Sequence, residues 1–178
     1  MSDVAKALWT PTGESIANSR MNRFAQMVNE SGDLHAWSIN QPEQFWSLVW
    51  DDCGVVGHKG ERSFLAAQPG SPMSTAQFFP DARISVVENM VATSGGGEAL
   101  VAIDEAGNRR SRSWDELRTR VSSIASALQA RGVVAGDRVV AWLPNSIEAI
   151  EVMLGAASIG AVFSSSSPDF GANGVLDR

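Results

Sequence analysis

A serine-rich segment near the carboxyl end of the sequence has the residue types and the position of a ligand-binding loop. Residues 164–171 read Ser-Ser-Ser-Ser-Pro-Asp-Phe-Gly, after an apolar run that predicts a strand and before a stretch that can begin a helix at Ala172. In open parallel sheets, ligands bind beyond the carboxyl ends of the strands, where N–H groups at helix starts attract phosphates. The segment is therefore the best candidate in the sequence for a phosphate loop.

The same segment has a second interpretation that needs no ligand. Asp169 can cap the helix that follows it, and the serines can let the chain turn. Short polar side chains bond readily to their own backbone, which favours such turns. From the residues alone, both interpretations stay open.

The remaining polar groups form no recognisable catalytic or metal site. His35 and His58 have no predictable partner, and with the single cysteine, Cys53, they match no zinc spacing and allow no internal disulfide. The two aspartates at residues 51–52 lie at a predicted helix end, where carboxylates are normally exposed to water. The three glycines at residues 95–97 precede a strand, whereas a phosphate-binding glycine loop follows one. No serine lies in a nucleophile-elbow pattern.

Charge and composition exclude several classes of partner. The 178 residues carry a formal charge of -6, which argues against a nucleic-acid partner. Five arginines share one stretch, which a hairpin strand and a solvated helix face explain without a ligand: Arg109, Arg110, Arg112, Arg118 and Arg120. No apolar run reaches the roughly 20 residues of a membrane-spanning helix, and no signal sequence is recognisable, so we expect a cytoplasmic protein. The hydrophobic content of 44% is typical of a soluble domain.

The first half of the chain predicts helices and irregular segments. Apolar residues at helical spacing indicate a helix over residues 16–28, and a second helix begins after Asn40, with Glu43 three residues on. Ser85 and Glu88 form another capping box. The second helix has one apolar face, which we expect to be core and not an aromatic ligand platform: Phe45, Trp46, Val49 and Trp50.

The second half begins with a predicted hairpin and a long helix. Apolar residues 99–103 indicate a strand, and a polar turn leads to a returning strand over residues 109–113. Ser113 and Glu116 form a capping box for a helix that stops at Gly132.

A strand, a helix and a second strand then predict a βαβ unit. The unbroken apolar run over residues 138–143 is typical of a parallel strand covered on both faces. Asn145 and Glu148 cap the next helix, and residues 161–163 begin the second strand. Such units cross over right-handed. The sequence therefore predicts an α/β fold.

Several segments resemble one enzyme family in order and spacing. Residues 136–146 read Gly-Asp-Arg-Val-Val-Ala-Trp-Leu-Pro-Asn-Ser, and residues 160–171 read Gly-Ala-Val-Phe followed by the serine-rich segment. These runs, with residues 79–84, 88–89 and 113–117, resemble the acyl-adenylate-forming superfamily and, within it, the acetoacetyl-CoA synthetases. The most discriminating match is Ser-Pro-Asp-Phe-Gly with Leu-Asp-Arg at 176–178, because acetyl-CoA synthetases carry a Phe-Gly-Gly type of loop there.

The resemblance implies a two-step ligase that uses ATP, CoA and Mg²⁺. A small acid, acetoacetate, would form an acyl-adenylate, and CoA would then displace AMP. It also implies a helical and irregular N-terminal cap over residues 1–95 and the beginning of the adenylate-forming domain over residues 96–178. A ligase for acetate or propionate and a noncatalytic binding module are the alternatives.

The resemblance assigns few site residues to this sequence. Ser167, Pro168 and Asp169 align with the loop that lines the CoA nucleotide site, although an aspartate there would repel a phosphate unless it faces away or caps the helix. The family's phosphate loop and its C-terminal lysine have no match, since the only lysines are Lys6 and Lys59. We therefore expect no catalytic residue and no metal site in this segment, and no ligase activity from these 178 residues alone.

Overall fold

The computed structural model contains two compact units. The described residues are 7–28, 33–66, 68, 70–93 and 95–177. The first unit takes its residues from Met1–Val55 and Lys59–Ala82, and the second from Val56–His58 and Arg83–Arg178.

Four helices come first in the described chain, then four short strands, and helices and strands are mixed in the second half. The helices are α1 Gly13–Ala17, α2 Arg20–Val28, α3 Leu34–Asn40, α4 Pro42–Asp52, α5 Val86–Met90, α6 Trp114–Gln129, α7 Ile147–Ser158 and α8 Ala172–Leu176, with a 3₁₀ turn at Met73–Thr75. The strands are β1 Gly57–His58, β2 Phe64–Leu65, β3 Gln77–Phe78, β4 Arg83–Ile84, β5 Glu98–Ile103, β6 Arg109–Ser113, β7 Arg138–Trp142 and β8 Val162–Ser166. The predicted α/β class is confirmed.

The helix boundaries of the first unit differ from the prediction at two places. The single helix expected over residues 16–28 is wrong, because α1 ends at Ala17 and the hydroxyl of Ser19 accepts the N–H of Asn22, which caps a new helix. Asn40 is also not a cap. It is the last residue of α3, whose start is capped by the carboxylate of Asp33.

Aromatic side chains form the core of the first unit, as the spacing of the tryptophans predicts. Trp37 and Trp50 are buried. Phe45 of α4 makes edge contacts with the rings of Phe24 and Trp37, at centroid distances of 6.0 and 6.1 Å. Trp46 packs in the same way on Phe78 of the β2–β3 pair, at 5.0 Å. The aromatic residues of α4 therefore serve packing.

The second unit begins with the predicted hairpin. Strands β5 and β6 are antiparallel, with Val101 opposite Ser111 and an irregularity between Glu98 and Leu100. Asp104 organises the turn by accepting the N–H groups of Ala106 and Asn108. The side chain and backbone of Asn108 hold the pKa of the Asp104 carboxyl below its usual range.

Helices α6 and α7 pack together beneath the hairpin. The capping box of Ser113 and Glu116 at the start of α6 is confirmed, and both of its reciprocal bonds are present. Gly132, with φ of 86°, follows the end of α6 in a conformation that suits glycine. The buried cluster joins α5, α6 and α7 and consists of Val87, Leu117, Val121 and Leu154.

The predicted βαβ unit is confirmed, since β7 and β8 are parallel neighbours on either side of α7 in the chain. The predicted cap at Asn145 is wrong. Ser146 is the N-cap residue of α7, and the Glu148 carboxylate accepts two bonds from Arg110. The right-handed crossover stays a prediction.

The β7–β8 sheet is covered on one face by the described residues, whereas the sequence predicted cover on both. Val139 and Ala141 are half-buried. The alternating residues Val140 and Trp142 are 65% and 53% exposed, and Val162 on β8 is 57% exposed. The reason is that, among the helices in the described residues, α7 is the one that packs on β8, and it covers a single face of the sheet. An apolar sheet face thus lies open.

Candidate functional site

The serine-rich segment divides into the end of a strand and a short loop. Ser164 to Ser166 continue β8, three residues beyond the predicted strand, and Ser166 is buried. The loop itself therefore comprises residues 167–171, and α8 begins at Ala172 as predicted. We call residues 167–171 the serine loop.

Ser167 organises the serine loop by closing a tight turn. Its hydroxyl lies 2.9 Å from Oδ2 of Asp169 and accepts the N–H of Asp169 at 3.3 Å. Its carbonyl oxygen accepts the N–H of Phe170 at 3.1 Å. Two backbone donors of the loop are thus engaged within the loop, and neither is presented to an anion.

The interpretation of Asp169 as a helix cap is wrong. Gly171 is the N-cap residue of α8, and no side chain forms a capping bond there. The Asp169 carboxylate instead stays beside Ser167 on the exposed side of the loop. A negative charge at this point repels a phosphate. The loop therefore offers groups for hydrogen bonding but does not have the character of a phosphate cradle.

Strand β7 holds the serine loop from its neighbouring position in the sheet. Trp142 is the last residue of β7 in the ladder and lies opposite Ser166. Its indole N–H donates to the carbonyl of Ser167 at 3.2 Å, and the N–H of Leu143 donates to the carbonyl of Ser166 at 3.3 Å. Sequence reasoning missed this role of Trp142, because the bond depends on the parallel register.

A cleft of about 250 Å³ lies beside the serine loop at the carboxyl ends of both parallel strands. The loop after β7, the helix α7 and the end of β8 line it, with Leu143, Pro144, Asn145, Met153, Phe163 and Ser167 among its residues. This is where open α/β sheets bind ligands. The structure therefore brings two of the predicted features together, the strand ends and the serine loop.

The acidic residues of α7 are held by arginines of β6. The guanidinium of Arg110 donates to both oxygens of Glu148, at 2.9 and 3.0 Å, and lowers the pKa of that carboxyl to about 2, with help from the Glu148 N–H and Ser146. Nε of Arg112 donates to Glu151, which is buried. The lowered pKa makes Glu148 a poor candidate for proton transfer, and Glu151 is engaged in an ion pair.

The other residues considered for chemistry lie apart from the serine loop in the chain. His35 is exposed in α3, His58 is exposed in β1, and Cys53 is an exposed free thiol at the end of α4. Asp51 accepts a bond from Lys59 at 2.8 Å. Across the described ranges, no group of three or more His, Cys, Asp or Glu side chains could hold a metal ion.

Comparison with known proteins covers almost the whole chain. A family described as AMP-binding enzyme matches residues 87–177, which include the βαβ unit and the serine loop. Acetoacetyl-coenzyme A synthetase of Rhizobium meliloti (strain 1021) is 41% identical over 97% of this chain. Acetoacetyl-CoA synthetase of Danio rerio is 37% identical over 98% of it.

A solved structure also matches almost the whole chain. The acetoacetyl-CoA synthetase from Streptomyces lividans superimposes with a TM-score of 0.80 and 34% identity, over 98% of this chain and 28% of that protein. The chain spans 27% of the length of the two curated relatives. Among the helices of the described residues, none has the length and apolar character needed to cross a membrane.

Proposed function

The chain belongs to the AMP-binding enzyme family, and we propose that it forms the N-terminal part of an ATP-dependent, AMP-forming ligase that joins acetoacetate to CoA. The observation that carries the proposal is the 41% identity to an acetoacetyl-CoA synthetase, which extends over 97% of the chain. The TM-score of 0.80 to the solved synthetase also supports it. A cytoplasmic location is part of the same proposal.

The proposed reaction has two steps. The carboxylate of acetoacetate attacks the α-phosphorus of ATP and releases pyrophosphate, which leaves an acyl-adenylate. The thiol of CoA then attacks the acyl carbon, loses its proton and displaces AMP. Mg²⁺ would neutralise phosphate charge during the first step. We place the residues that bind ATP and Mg²⁺ outside this chain.

Within this chain, we propose a division of roles at about residue 95. Residues 1–95 would form the N-terminal cap, and residues 96–178 would begin the adenylate-forming domain. This proposed boundary lies close to the beginning of the family match at residue 87.

We further propose that Ser167, Pro168 and Asp169 contact CoA. Their place after β8, beside the cleft at the strand ends, supports this assignment. The contact would use the Ser167 hydroxyl and the ring of Pro168 at groups of CoA other than its phosphates, because the Asp169 carboxylate repels phosphate.

The ligase proposal is tested with the full-length gene product. Acid-dependent exchange of pyrophosphate into ATP is measured with acetoacetate, acetate and propionate, and thioester formation is measured with CoA. We expect exchange to be fastest with acetoacetate. A preference for acetate or propionate would overturn the substrate, and no exchange with any of the three acids would leave a noncatalytic binding module as the better account.

The CoA contact is tested with variants of the loop. Ser167→Ala should raise the KM for CoA severalfold and leave the exchange reaction unchanged, because exchange precedes CoA binding. Ser164→Ala, on the exposed surface of β8 before the loop, is the matched control. An unchanged KM for CoA in both Ser167→Ala and Asp169→Ala would contradict the contact.

A further inference from the structure

We infer that Trp142 is a positioning residue that holds the serine loop in place for CoA. The inference rests on the proposed CoA contact of Ser167, Pro168 and Asp169. Trp142 would not touch the reacting atoms. It would act on CoA binding through one hydrogen bond, from its indole N–H to the Ser167 carbonyl oxygen.

The position of Trp142 in the sheet makes this bond a fixed tether. Trp142 and Ser166 are the last paired residues of the β7–β8 ladder, and the main-chain bond from Leu143 to Ser166 adds one more link at that end. The tryptophan side chain therefore stands at the point where the serine loop leaves the sheet. Its N–H reaches the first carbonyl of the loop at 3.2 Å.

The accepting carbonyl also takes part in one of the loop's own hydrogen bonds. The Ser167 carbonyl accepts the N–H of Phe170, while the Ser167 hydroxyl contacts Asp169. A bond that fixes this peptide group consequently fixes the turn formed by Ser167 and Asp169. Without it, the loop must be ordered when CoA binds, and that ordering weakens binding.

A substitution of Trp142 can remove the hydrogen bond and keep most of the packing of the ring. Trp142 is 53% exposed, so the ring contributes part of its surface to packing and its N–H to the loop. Phenylalanine keeps an aromatic ring on the strand and removes the donor. Trp114 offers a matched control in the same unit, because its ring packs against the core cluster at the start of α6.

The experiment compares Trp142→Phe with Trp114→Phe in the full-length gene product. Trp142→Phe should raise the KM for CoA about three- to tenfold, the loss expected for one hydrogen bond, without changing acid-dependent pyrophosphate exchange. Trp114→Phe should leave the KM for CoA unchanged. An unchanged KM in Trp142→Phe, or an equal fall of exchange and thioester formation, would overturn the inference.

Hydrogen–deuterium exchange tests the tether without any activity. The peptide that covers the serine loop should exchange several times faster in Trp142→Phe than in the wild type or Trp114→Phe, because opening of the turn exposes the Phe170 amide. Equal exchange rates would overturn the tether. If the wild type shows neither half-reaction, the proposed ligase is overturned instead. If the serine loop of Trp142→Phe nevertheless exchanges faster, the tether itself is still supported.

Discussion

Arg112 and Glu151 are 39 residues apart in the chain, and Nε of Arg112 donates to Oε1 of Glu151 across 2.9 Å. The Glu151 side chain is 5% exposed and that of Arg112 is 22% exposed. The pair fastens strand β6 to helix α7, next to a second pair between Arg110 and Glu148 that is far more exposed. Two ion pairs of different burial thus join the same two elements.

Glu151→Ala should lower the free energy of unfolding by about 3 kcal/mol, because it leaves the shielded guanidinium of Arg112 without its partner. Replacement of both residues, Arg112→Met with Glu151→Leu, should recover most of that loss, since neither charge is then buried. Urea unfolding followed by tryptophan fluorescence measures both. Glu148→Ala is the control and should have a much smaller effect. An equal effect of Glu148→Ala would contradict the role of burial.

The second pair makes stability depend on pH in the acidic range. The Arg110 guanidinium lowers the pKa of Glu148 from 4.5 to about 2 in the folded protein. The folded state therefore gains stability from this carboxylate above about pH 4.5, and it loses that gain as the pH falls toward 2. Solvent screening keeps the effect within about 1 kcal/mol, because both side chains are about half exposed.

Glu148→Gln should therefore be less stable than the wild type at pH 7 and approach it near pH 2 to 3. The difference in free energy of unfolding is measured from pH 7 to pH 2, and the Glu148 carboxyl is titrated by NMR. Glu105→Gln, in the exposed hairpin turn, is the control for removing a surface carboxylate. A constant difference between wild type and Glu148→Gln at every pH would contradict the prediction.

Local sequence signals predicted the elements whose determinants are close in the chain. The capping box of Ser113 and Glu116 spans four residues, and the hairpin turn is closed by Asp104 within five. Where neighbouring polar residues compete for a cap, the signal is ambiguous. Ser146 is the N-cap residue of α7 where Asn145 was expected, and the Glu148 carboxylate pairs with Arg110 of another element.

Most of the candidate site depends on contacts that the sequence does not encode locally. The place of the serine loop after a strand was predictable from the βαβ pattern. The tether from Trp142 crosses 25 residues and requires the parallel register of β7 and β8. The residues allowed two interpretations, a phosphate loop or a helix cap at Asp169 with serines that let the chain turn. Only the geometry shows that the turn forms between Ser167 and Asp169 while Gly171 is the N-cap residue.

Gly155 permits the close packing of α7 on α6. A Cβ atom at this position would lie 2.5 Å from Cγ2 and 2.8 Å from Cβ of Ile124. Alanine usually stabilises a helix relative to glycine by about 1 kcal/mol. Here we expect Gly155→Ala to destabilise the protein by about 1 to 3 kcal/mol, because the overlap exceeds the gain in helix propensity. Thermal and urea unfolding measure the sign of the change in the free energy of unfolding.

Two further variants test the cause of the Gly155 effect. Ile124→Ala removes the nearer of the two clashing atoms, so Gly155→Ala should be less harmful in that background. Gly13→Ala, where a Cβ meets nothing within 4 Å, should be close to neutral. An equal loss from Gly155→Ala in both backgrounds would show that the contact with Ile124 is not the cause.

Asn89 holds the segment around β1 against α5 within the second unit. Its Oδ1 accepts the N–H of Val56 and its Nδ2 donates to the Val56 carbonyl, both at 2.9 Å. Asn89→Ala should destabilise this segment by about 1 to 2 kcal/mol and speed hydrogen exchange at Val56. Asn89→Asp keeps an acceptor and loses the donor, so we expect a partial effect. Unchanged exchange at Val56 in Asn89→Ala would contradict the prediction.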